Sequence, residues 1–513
     1  MCANPVSKQK DPANQRRRRE EQQVELRRQR TEELLNKKRV STREAQSSNT
    51  FEATKSLLFS NNLEDIYGGT YDCRTRLSID VNPPIQDIVV SGIVPRFVEL
   101  LDKNFYTQFG DNPLSSKCRF EAAWVITNIA SGNSEQTKYV VNVGAVPLLV
   151  KMISEDDEGI LDQSVWALAN ISGDSEALRD IILEAGALQK VADLILKYIN
   201  TSGNIKILRN LVWLVSNLNR GRYPAPTLEN MQKSFFVIEK VIQINDQDLV
   251  SDAFWCLSYL ADASSEMTDS ILKSSAMKRM FDLLSNFCGA LQKPDSDNKL
   301  SKIGASAICP IVRTLGNIVT GTEEQTNAVI SMGFLQFFHP IFYLYDNKKL
   351  PRIRKEICWL LSNVTAGSAT QIVYVLEGDL VGLVIDSVNK HDLFIKKEAG
   401  IALFNMLYFC KANPQYLQKL LDMGALQALQ NYLKAVGNLP ESQSKILDCV
   451  RCSLEAGEKI KQKYGINPVI QILIDTKFID EIEELQNPTT SSVIARQAYD
   501  IIVTYFEGEE ENL

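Results

Sequence analysis

The sequence has few of the residues and patterns that catalytic and membrane proteins usually need. Only two histidines occur among 513 residues, His339 and His391, and their unrelated contexts argue against a His-based catalytic site. No Walker loop, Gly-x-Ser-x-Gly or zinc-protease motif occurs. No run of eighteen apolar residues occurs, so no membrane-spanning helix is expected. These absences favour a binding protein, not an enzyme, with no cofactor and no metal.

Cysteine is also scarce, with ten copies at irregular spacings. This usage predicts reduced, mostly buried thiols of a cytosolic or nuclear protein. The one Cys-x-x-Cys pair, Cys449 and Cys452, stands alone in a helical pattern, whereas a zinc site needs a second ligand pair. The N-terminal stretch is polar and arginine-rich, so we do not expect a secretory signal there.

Tryptophan is rare too, but its five copies recur in register, at spacings of 42, 47, 42 and 104 residues. The long interval holds one degenerate unit with Arg313 at the tryptophan position. Asparagine follows four residues later in most units. The six asparagines are Asn128, Asn170, Asn217, Asn317, Asn363 and Asn405. A period of 42–47 residues with helical and no strand-like patterning predicts a HEAT or armadillo array.

Tryptophan and asparagine four residues apart share one face of a helix. Around Trp124, Trp213 and Trp255 this face is distinct from the apolar stripe that would pack into the core. One interpretation places each ring at the seam between repeats and each amide in a buried hydrogen bond. The common register favours a second interpretation, in which stacked repeats align these residues as a row along a groove.

The chemistry of this row predicts an extended, basic peptide as its ligand. An asparagine amide can pair with both the N–H and the C=O of a peptide backbone, whatever the peptide sequence. Tryptophan faces between the amides hold aliphatic stems and attract cations. Acidic residues near the row would bind the ammonium and guanidinium groups. These acids are Asp174, Asp248, Asp252 and Asp262.

Charge is distributed unevenly along the chain. Residues 1–43 carry thirteen Lys and Arg against six Asp and Glu, so the remainder has a net charge of −14 within a total of −7. Glutamates interrupt the arginine cluster and aromatics are absent, which favours a helix folding onto an acidic protein partner over nucleic-acid binding. The stretch Asn36–Arg39 is itself a peptide of the class that the row would bind.

These patterns together resemble the importin-α family, the adaptors for nuclear localisation signals. The segment "RRRREEQQVELRRQRTEELLNKKRV" resembles its importin-β-binding segment, and stretches from "AWVITNIASGNSEQTK" to "ICWLLSNVTAGS" resemble armadillo repeats two to seven. The resemblance implies an all-α, right-handed superhelical solenoid of armadillo repeats with a flexible basic N-terminal segment. We expect an importin-β-binding segment at 1–45, about ten repeats over 46–500 with an insertion at 60–82, and an acidic tail at 501–513.

The resemblance also implies the site residues. The major signal-peptide site would comprise Trp124, Asn128, Gly132, Thr137, Gln163, Trp166, Asn170, Asp174, Trp213, Asn217, Asp248, Asp252 and Trp255, with Asp174 binding the key lysine. The minor site would comprise Arg313, Asn317, Glu356, Trp359, Asn363, Glu398 and Asn405. Importin-β would bind Arg16, Arg17, Arg18, Arg19, Arg27, Arg28 and Arg30, and Lys37, Lys38 and Arg39 would be autoinhibitory.

The partners implied are importin-β, cargo proteins with basic signals, and an export receptor of the CAS type at the C-terminal repeats. Direct contact with nucleic acid or membrane is not expected, and the protein would shuttle between cytoplasm and nucleus. An armadillo scaffold of the catenin type is the alternative, but it leaves the arginine-rich segment and the regular row unexplained. One residue departs from the family pattern: Ile401 replaces a tryptophan, which predicts a weaker minor site.

Overall fold

The computed structural model describes residues 50–79, 82–292, 299–345, 350–487 and 490–506. Over these ranges the chain is helical and contains no β-strand. None of the helices described is both long enough and apolar enough to cross a bilayer. The chain divides into two compact units, which meet in sequence between Arg279 and Met280.

The N-terminal unit contains fourteen complete α-helices among its described residues. They are α1 (Phe51–Leu58), α2 (Leu63–Leu77), α3 (Ile85–Val90), α4 (Val94–Glu99), α5 (Leu114–Ala130), α6 (Ser134–Asn142), α7 (Ala145–Met152), α8 (Glu158–Asp174), α9 (Glu176–Glu184), α10 (Ala187–Asn200), α11 (Ile205–Leu218), α12 (Leu228–Val241), α13 (Gln247–Ala263) and α14 (Ser265–Leu272). A 3₁₀ turn spans Lys103–Phe109, and α15 (Ser275–Gln292) runs across the boundary between the units.

The C-terminal unit continues the same pattern. Its helices are α16 (Lys299–Ile318), α17 (Glu323–Ser331), α18 (Phe338–Leu344), α19 (Leu350–Thr365), α20 (Ala369–Glu377), α21 (Leu380–Lys390), α22 (Leu393–Ala412), α23 (Leu417–Asp422), α24 (Ala425–Val436), α25 (Pro440–Tyr464), α26 (Pro468–Asp475), α27 (Phe478–Glu484) and α28 (Ser492–Tyr505). Two 3₁₀ turns, Phe334–Phe337 and Pro414–Tyr416, precede α18 and α23.

About every third helix packs against its equivalent in the next repeat, in chain order within each unit. We call them the row helices. In the N-terminal unit they are α2, α5, α8, α11 and α13, and in the C-terminal unit α16, α19, α22, α25 and α28. Each buries the apolar stripe that its sequence predicts: Leu211, Leu214 and Val215 of α11 are fully buried. Because each row helix covers its neighbour, burial accumulates along the stack and not in one central core.

Local signals set the helix boundaries. Asn133 and Gln136 form a reciprocal capping box at the start of α6, and Thr322 and Gln325 repeat it at α17. Gly144 and Gly186 precede α7 and α10 with φ of 89° and 75°, in the left-handed region that favours glycine. The repeating "Gly-Ala" pattern of the sequence therefore marks the turn between the two shorter helices of a repeat.

Two predicted boundaries need correction. The predicted insertion at 60–82 contains α2, which packs against α5 and so belongs to the stack of row helices. The predicted acidic tail began at residue 501, but α28 continues to Tyr505 with Ile501 and Ile502 buried. The predicted N-terminal segment, 1–45, lies outside the described residues.

The cysteines agree with the sequence prediction of buried thiols. All nine that fall within the described ranges are free and buried. Burial raises the pKa of the Cys452 thiol to about 11 and that of Cys358 to about 12, so both stay protonated near neutral pH.

Candidate peptide-binding surface

The row helices carry the tryptophans and asparagines at equivalent positions. Trp124, Trp166, Trp213 and Trp255 lie on four successive row helices of the N-terminal unit, and Trp359 lies on α19. The rings are more buried than a fully open row requires: Trp166, Trp213 and Trp359 are only 3–4 % exposed. Trp124 and Trp255 are half-buried. The row thus contributes to the packing of the protein as well as to a surface.

The asparagines bond to the preceding row helix. Asn170 Nδ2 donates to the Thr127 carbonyl at 3.2 Å, and Asn217 Nδ2 donates to the Ala169 carbonyl at 2.9 Å. Asn405 makes the same contact in the C-terminal unit, with the Ser362 carbonyl at 3.2 Å. The interpretation of the asparagines as buried structural hydrogen bonders therefore holds for the amide nitrogens of these three residues.

The amide oxygens of Asn170 and Asn217, in contrast, form no hydrogen bond within the described chain. Oδ1 of Asn170 and Oδ1 of Asn217 are buried and have no hydrogen-bond partner. An unsatisfied buried acceptor is costly, and in native proteins it often marks a place where a ligand or water completes the network. The structure thus leaves two acceptors, one repeat apart, that could receive N–H groups from an extended chain.

Asp174 ends α8 beside the turn that follows α5. Its Oδ2 accepts a hydrogen bond of 2.8 Å from Ser134 Oγ, and it is half-buried. Among the residues that the structure describes, no Lys or Arg pairs with this carboxylate. Asp174 is therefore a partly desolvated negative charge without a basic partner in the described chain.

Gly132 lies in the turn between α5 and α6, and Thr137 lies near the start of α6. A Cβ at Gly132 would lie 2.0 Å from Gln136 Oε1, the oxygen that caps α6, so the turn has no room for a side chain. Thr137 is buried, and its hydroxyl contacts the carbonyls of Ala130 and Asn133 at 3.2 and 3.1 Å. Thr137 consequently fixes the turn, and its hydroxyl can act towards a ligand only as an acceptor.

Gln163 is buried between two row helices. Its side chain is 1 % exposed, and Nε2 donates to Thr127 Oγ1 at 2.6 Å. These contacts place it in the seam between α5 and α8. The sequence placed it three residues before Trp166, and only the packing of two helices distinguishes a seam position from a groove position.

The acids around α13 are mostly paired within the protein. Asp248 is exposed and lies 3.2 Å from Arg209, while Asp262 lies 3.5 Å from Arg222. Burial raises the pKa of Asp246, but the hydrogen bonds and charge of Arg209, together with hydrogen bonds from the Leu249 and Asp248 backbone N–H groups, outweigh it, and the net pKa is lowered. Asp252 is buried. These carboxylates therefore offer a ligand less free charge than their sequence positions suggested.

The row at α13 is aromatic where other repeats have an amide. Trp255 stacks on Tyr259 with ring centroids 6.3 Å apart and an interplanar angle of 24°. Tyr259 occupies the position that asparagine has in the other units. The row of amides in the N-terminal unit thus ends at Asn217.

In the C-terminal unit, the predicted site residues Arg313 and Glu356 bond to each other. Arg313 Nη2 is ion-paired with Glu356 Oε1, and both side chains are buried. The Arg313 guanidinium also lies 5.1 Å from the centroid of the Trp359 ring. A Cβ at Gly316 would lie 2.4 Å from the same ring, so α16 packs closely against Trp359. Arg313 and Glu356 therefore form a fixed wall of this surface.

The C-terminal unit also contains a cavity of about 290 Å³. Its lining residues are Val319, Glu323, Thr326, Asn363, Gly367, Ser368 and Gln371. Nδ2 of Asn363 has no hydrogen-bond partner. Sequence reasoning found Asn363 but missed Thr326 and Ser368. The available signal was that "TGTEEQT" (320–326) and "AGSATQI" (366–372) repeat the pattern of "SGNSEQT" (131–137).

The last predicted minor-site residues lie on α22. Glu398 and Asn405 are buried, and Ile401 between them is half-buried. A Cβ at Gly400 would lie 2.9 Å from Tyr432, so an aromatic ring from the next repeat lies against this helix. The carboxylate and the amide of the predicted site thus lie about two turns apart on one face of α22, with an isoleucine between them in place of a tryptophan.

The predicted N-terminal contact residues cannot be placed against this surface. The importin-β-binding residues Arg16, Arg17, Arg18, Arg19, Arg27, Arg28 and Arg30 lie outside the described residues, as do Lys37, Lys38 and Arg39.

Stacked helical repeats with a regular row of tryptophan and asparagine define the class of armadillo-repeat proteins. The family model described as "Armadillo/beta-catenin-like repeat" matches residues 133–173, and "Importin beta binding domain" matches residues 7–70. A solved engineered protein covers 88 % of this chain at 20 % identity with a TM-score of 0.67, which supports the fold alone.

Two curated plant proteins are similar over much of the chain. "Importin subunit alpha-5" of Arabidopsis thaliana is 32 % identical over 516 residues, covering 98 % of this chain and 91 % of its own. "Importin subunit alpha-1a" of Oryza sativa subsp. japonica is 33 % identical over 391 residues, covering 73 % of this chain and 68 % of its own. The chain therefore belongs to the importin-α family, the nuclear import adaptors that bind importin-β.

Proposed function

We propose that this import adaptor holds Lys/Arg-rich nuclear localisation signals as extended peptides along the row of its N-terminal unit. The observation that carries this proposal is the pair of unsatisfied acceptors, Asn170 Oδ1 and Asn217 Oδ1, next to the unpaired carboxylate of Asp174. Amide acceptors at repeat spacing bind backbone, and a lone carboxylate binds a cation, so together they select an extended basic peptide.

Binding begins with the peptide backbone. Because the Nδ2 groups of Asn170 and Asn217 are already bonded to the preceding helix, the two amides are held in fixed orientations. They lose little conformational entropy when a ligand arrives, which favours affinity. Peptide N–H groups donate to the two Oδ1 atoms, and this contact is independent of peptide sequence.

Specificity for basic residues comes from Asp174. A lysine ammonium next to this carboxylate would be partly shielded from solvent, where an ion pair is stronger than on an open surface. Ser134 orients the carboxylate and leaves its other oxygen for the ligand. The tryptophan rings flanking the amides supply faces for the aliphatic stems of neighbouring side chains.

A second basic cluster would bind the C-terminal unit at the cavity beside Asn363. The free Nδ2 of that residue can donate to a peptide carbonyl, and Thr326 and Ser368 add hydroxyls to the lining. Because Ile401 has no ring face for a cation, we propose that this minor site contributes less than the major one.

The proposal also includes importin-β binding, autoinhibition and export. Residues 1–43 bind importin-β, and Lys37, Lys38 and Arg39 compete with cargo for the row when importin-β is absent. An export receptor of the CAS type binds the C-terminal repeats, and the protein moves between cytoplasm and nucleus. The basic N-terminal segment and the acidic remainder of the chain support the competition by their opposite charge.

Peptide binding measured by fluorescence anisotropy tests the proposal. The full chain with saturating importin-β should bind a labelled lysine-rich signal peptide far more tightly than a peptide with every lysine replaced by alanine. Equal binding of the two peptides would overturn the assignment of the row to basic signals. A chain lacking residues 1–43 should bind the lysine peptide without importin-β.

A further inference from the structure

An arginine of the chain itself occupies the beginning of the row. Arg74 lies on α2, and its Nε donates to Glu121 Oε2 on the next row helix at 2.6 Å. The guanidinium carbon lies 4.6 Å from the centroid of the Trp124 ring and 4.4 Å from that of Tyr71. The side chains of the ion pair are only 10 % and 9 % exposed, so the pair is a built part of the row.

The end of the same helix also holds the first asparagine of the row. Asn128 Nδ2 donates to Ser78 Oγ at 3.1 Å, and Ser78 Oγ donates to the Arg74 carbonyl at 2.8 Å. Both members of the first tryptophan–asparagine pair are therefore engaged by residues from one turn of α2. The contacts of Arg74 with Glu121 and Trp124 and the hydrogen bond between Ser78 and Asn128 are independent of each other. Both mark the C-terminal end of α2 as the end of the row.

The contacts of Arg74 are those that the proposed function gives to a bound basic side chain. A cation against a tryptophan ring and paired with a carboxylate is the chemistry by which the row would bind a ligand lysine. Asp174 has its carboxylate bonded only to Ser134 among the described residues, whereas Glu121 is already paired. The acids along the row therefore fall into two classes, one available to a ligand and one occupied by the chain's own arginine.

We propose that Arg74 is a specificity-determining residue. It occupies the space between the Trp124 ring and the Glu121 carboxylate where a ligand cation would otherwise bind, and so limits how many basic side chains of a peptide the row can bind. This inference rests on the proposed function. A ligand lysine that extends past the Asp174 region towards α2 finds the Glu121 carboxylate and one contact surface of Trp124 already taken. A signal peptide is thus recognised by its lysine at Asp174. Additional basic residues that extend beyond the α2 end of the row contribute little to the binding affinity.

A lysine scan on the complex of full chain and importin-β tests the proposal. The parent peptide has one basic cluster, and each derivative carries one extra lysine at one of the four positions before or after it. In wild type, derivatives extended towards α2 should bind no better than the parent. In Arg74→Met, one of these positions should gain roughly tenfold relative to the parent, because the ring and the carboxylate are released.

Two further variants test whether a gain in Arg74→Met comes from removing the cation and releasing the carboxylate. Arg74→Lys keeps a cation in the slot, so no position should gain. Arg74→Met/Glu121→Gln removes the carboxylate, so most of the gain should disappear. No gain at any position in Arg74→Met, or an equal gain in the double variant, would overturn the proposal. Failure of the parent peptide to bind wild type would instead overturn the proposed function.

Folding is controlled separately. Arg74→Met leaves Glu121 buried without its partner, which destabilises the first two repeats. Each variant is therefore checked by thermal unfolding before binding is measured. If Arg74→Met does not fold, Arg74→Gln replaces it, since glutamine can bond to Glu121 while carrying no charge. A gain at the same position is then still expected, but a smaller one, because the glutamine amide keeps part of the carboxylate engaged.

Discussion

At the scale of single residues, the carboxylates along the row differ in how far they are neutralised by the chain itself. Asp262 and Asp248 lie near Arg222 and Arg209, whereas Asp174 has only a hydroxyl as its described partner. The position of an acidic residue in its repeat therefore does not tell whether its carboxylate is free to bind a ligand. Pairing with an arginine of the chain depends on residues that are far away in sequence. We expect the available carboxylate to dominate the binding of basic peptides.

Asp174→Lys should nearly abolish binding of a single-cluster basic signal. The change removes the partner of a bound ammonium and adds repulsion, a loss of roughly 2–5 kcal/mol. Asp193→Lys is the matched control, because Asp193 is exposed on α10 and contacts Gln189. Anisotropy titrations in which Asp174→Lys binds within a few-fold of wild type would refute the assignment.

Ile401→Trp should strengthen the minor site. The half-buried Ile401 can pack against an aliphatic stem, but a ring would add a cation contact of roughly 0.5–2 kcal/mol. Two-cluster signals should gain little from their upstream cluster in wild type and more in Ile401→Trp, with Ile401→Leu as the control. The measurement compares each signal with a version whose upstream cluster is alanine. A full upstream contribution in wild type would contradict the prediction.

At the scale of helices, the sequence predicted most of the stack because the tryptophans mark the row helices. It failed at α2, whose sequence has no tryptophan or asparagine in register and contains Gly68 and Gly69, so it was predicted as an insertion. It also failed to predict that Arg313 and Glu356 pair, since they are 43 residues apart and meet only when repeats stack. Periodicity identifies helices, but contacts between repeats need the packed structure.

Close packing of α16 on α19 gives a prediction at this scale. Gly316→Ala should destabilise the protein by roughly 1–3 kcal/mol, because its Cβ would overlap the Trp359 ring. Gly289→Ala is the control, since a Cβ there meets nothing within 4 Å and alanine favours a helix by about 1 kcal/mol. Thermal unfolding compares the two. A neutral or stabilising Gly316→Ala would contradict the close contact.

At the scale of the whole molecule, the distribution of charge favours competition between the chain's own basic segment and its cargo. Residues 1–43 carry a net charge of +7, and the rest of the chain carries −14. Attraction between exposed charges is screened by salt over about 8–10 Å at physiological ionic strength. Both self-binding and cargo binding should therefore weaken as salt is raised.

A chain lacking residues 1–43 should bind a basic signal more tightly than the full chain when importin-β is absent. The deletion removes a competitor that is tethered to the row and so present at high effective concentration. A triple variant, Lys37→Ala/Lys38→Ala/Arg39→Ala, should give most of the same gain while keeping the rest of the segment. Identical affinities for the full and shortened chains would remove autoinhibition from the proposal.

The hydrogen bonds from Asn170 and Asn217 to the preceding helices have a consequence for variation at the site. Each of these side chains stabilises the stack through one atom and is proposed to bind ligand through the other. Substituting either one changes folding and recognition together, so selection on cargo affinity cannot act on them alone. Asp174 instead bonds to the Ser134 hydroxyl and not to a carbonyl of the preceding row helix, so we expect its replacement to disturb the stack less. Diversity among signal preferences in related chains should therefore accumulate at the acids, while the amides stay constant.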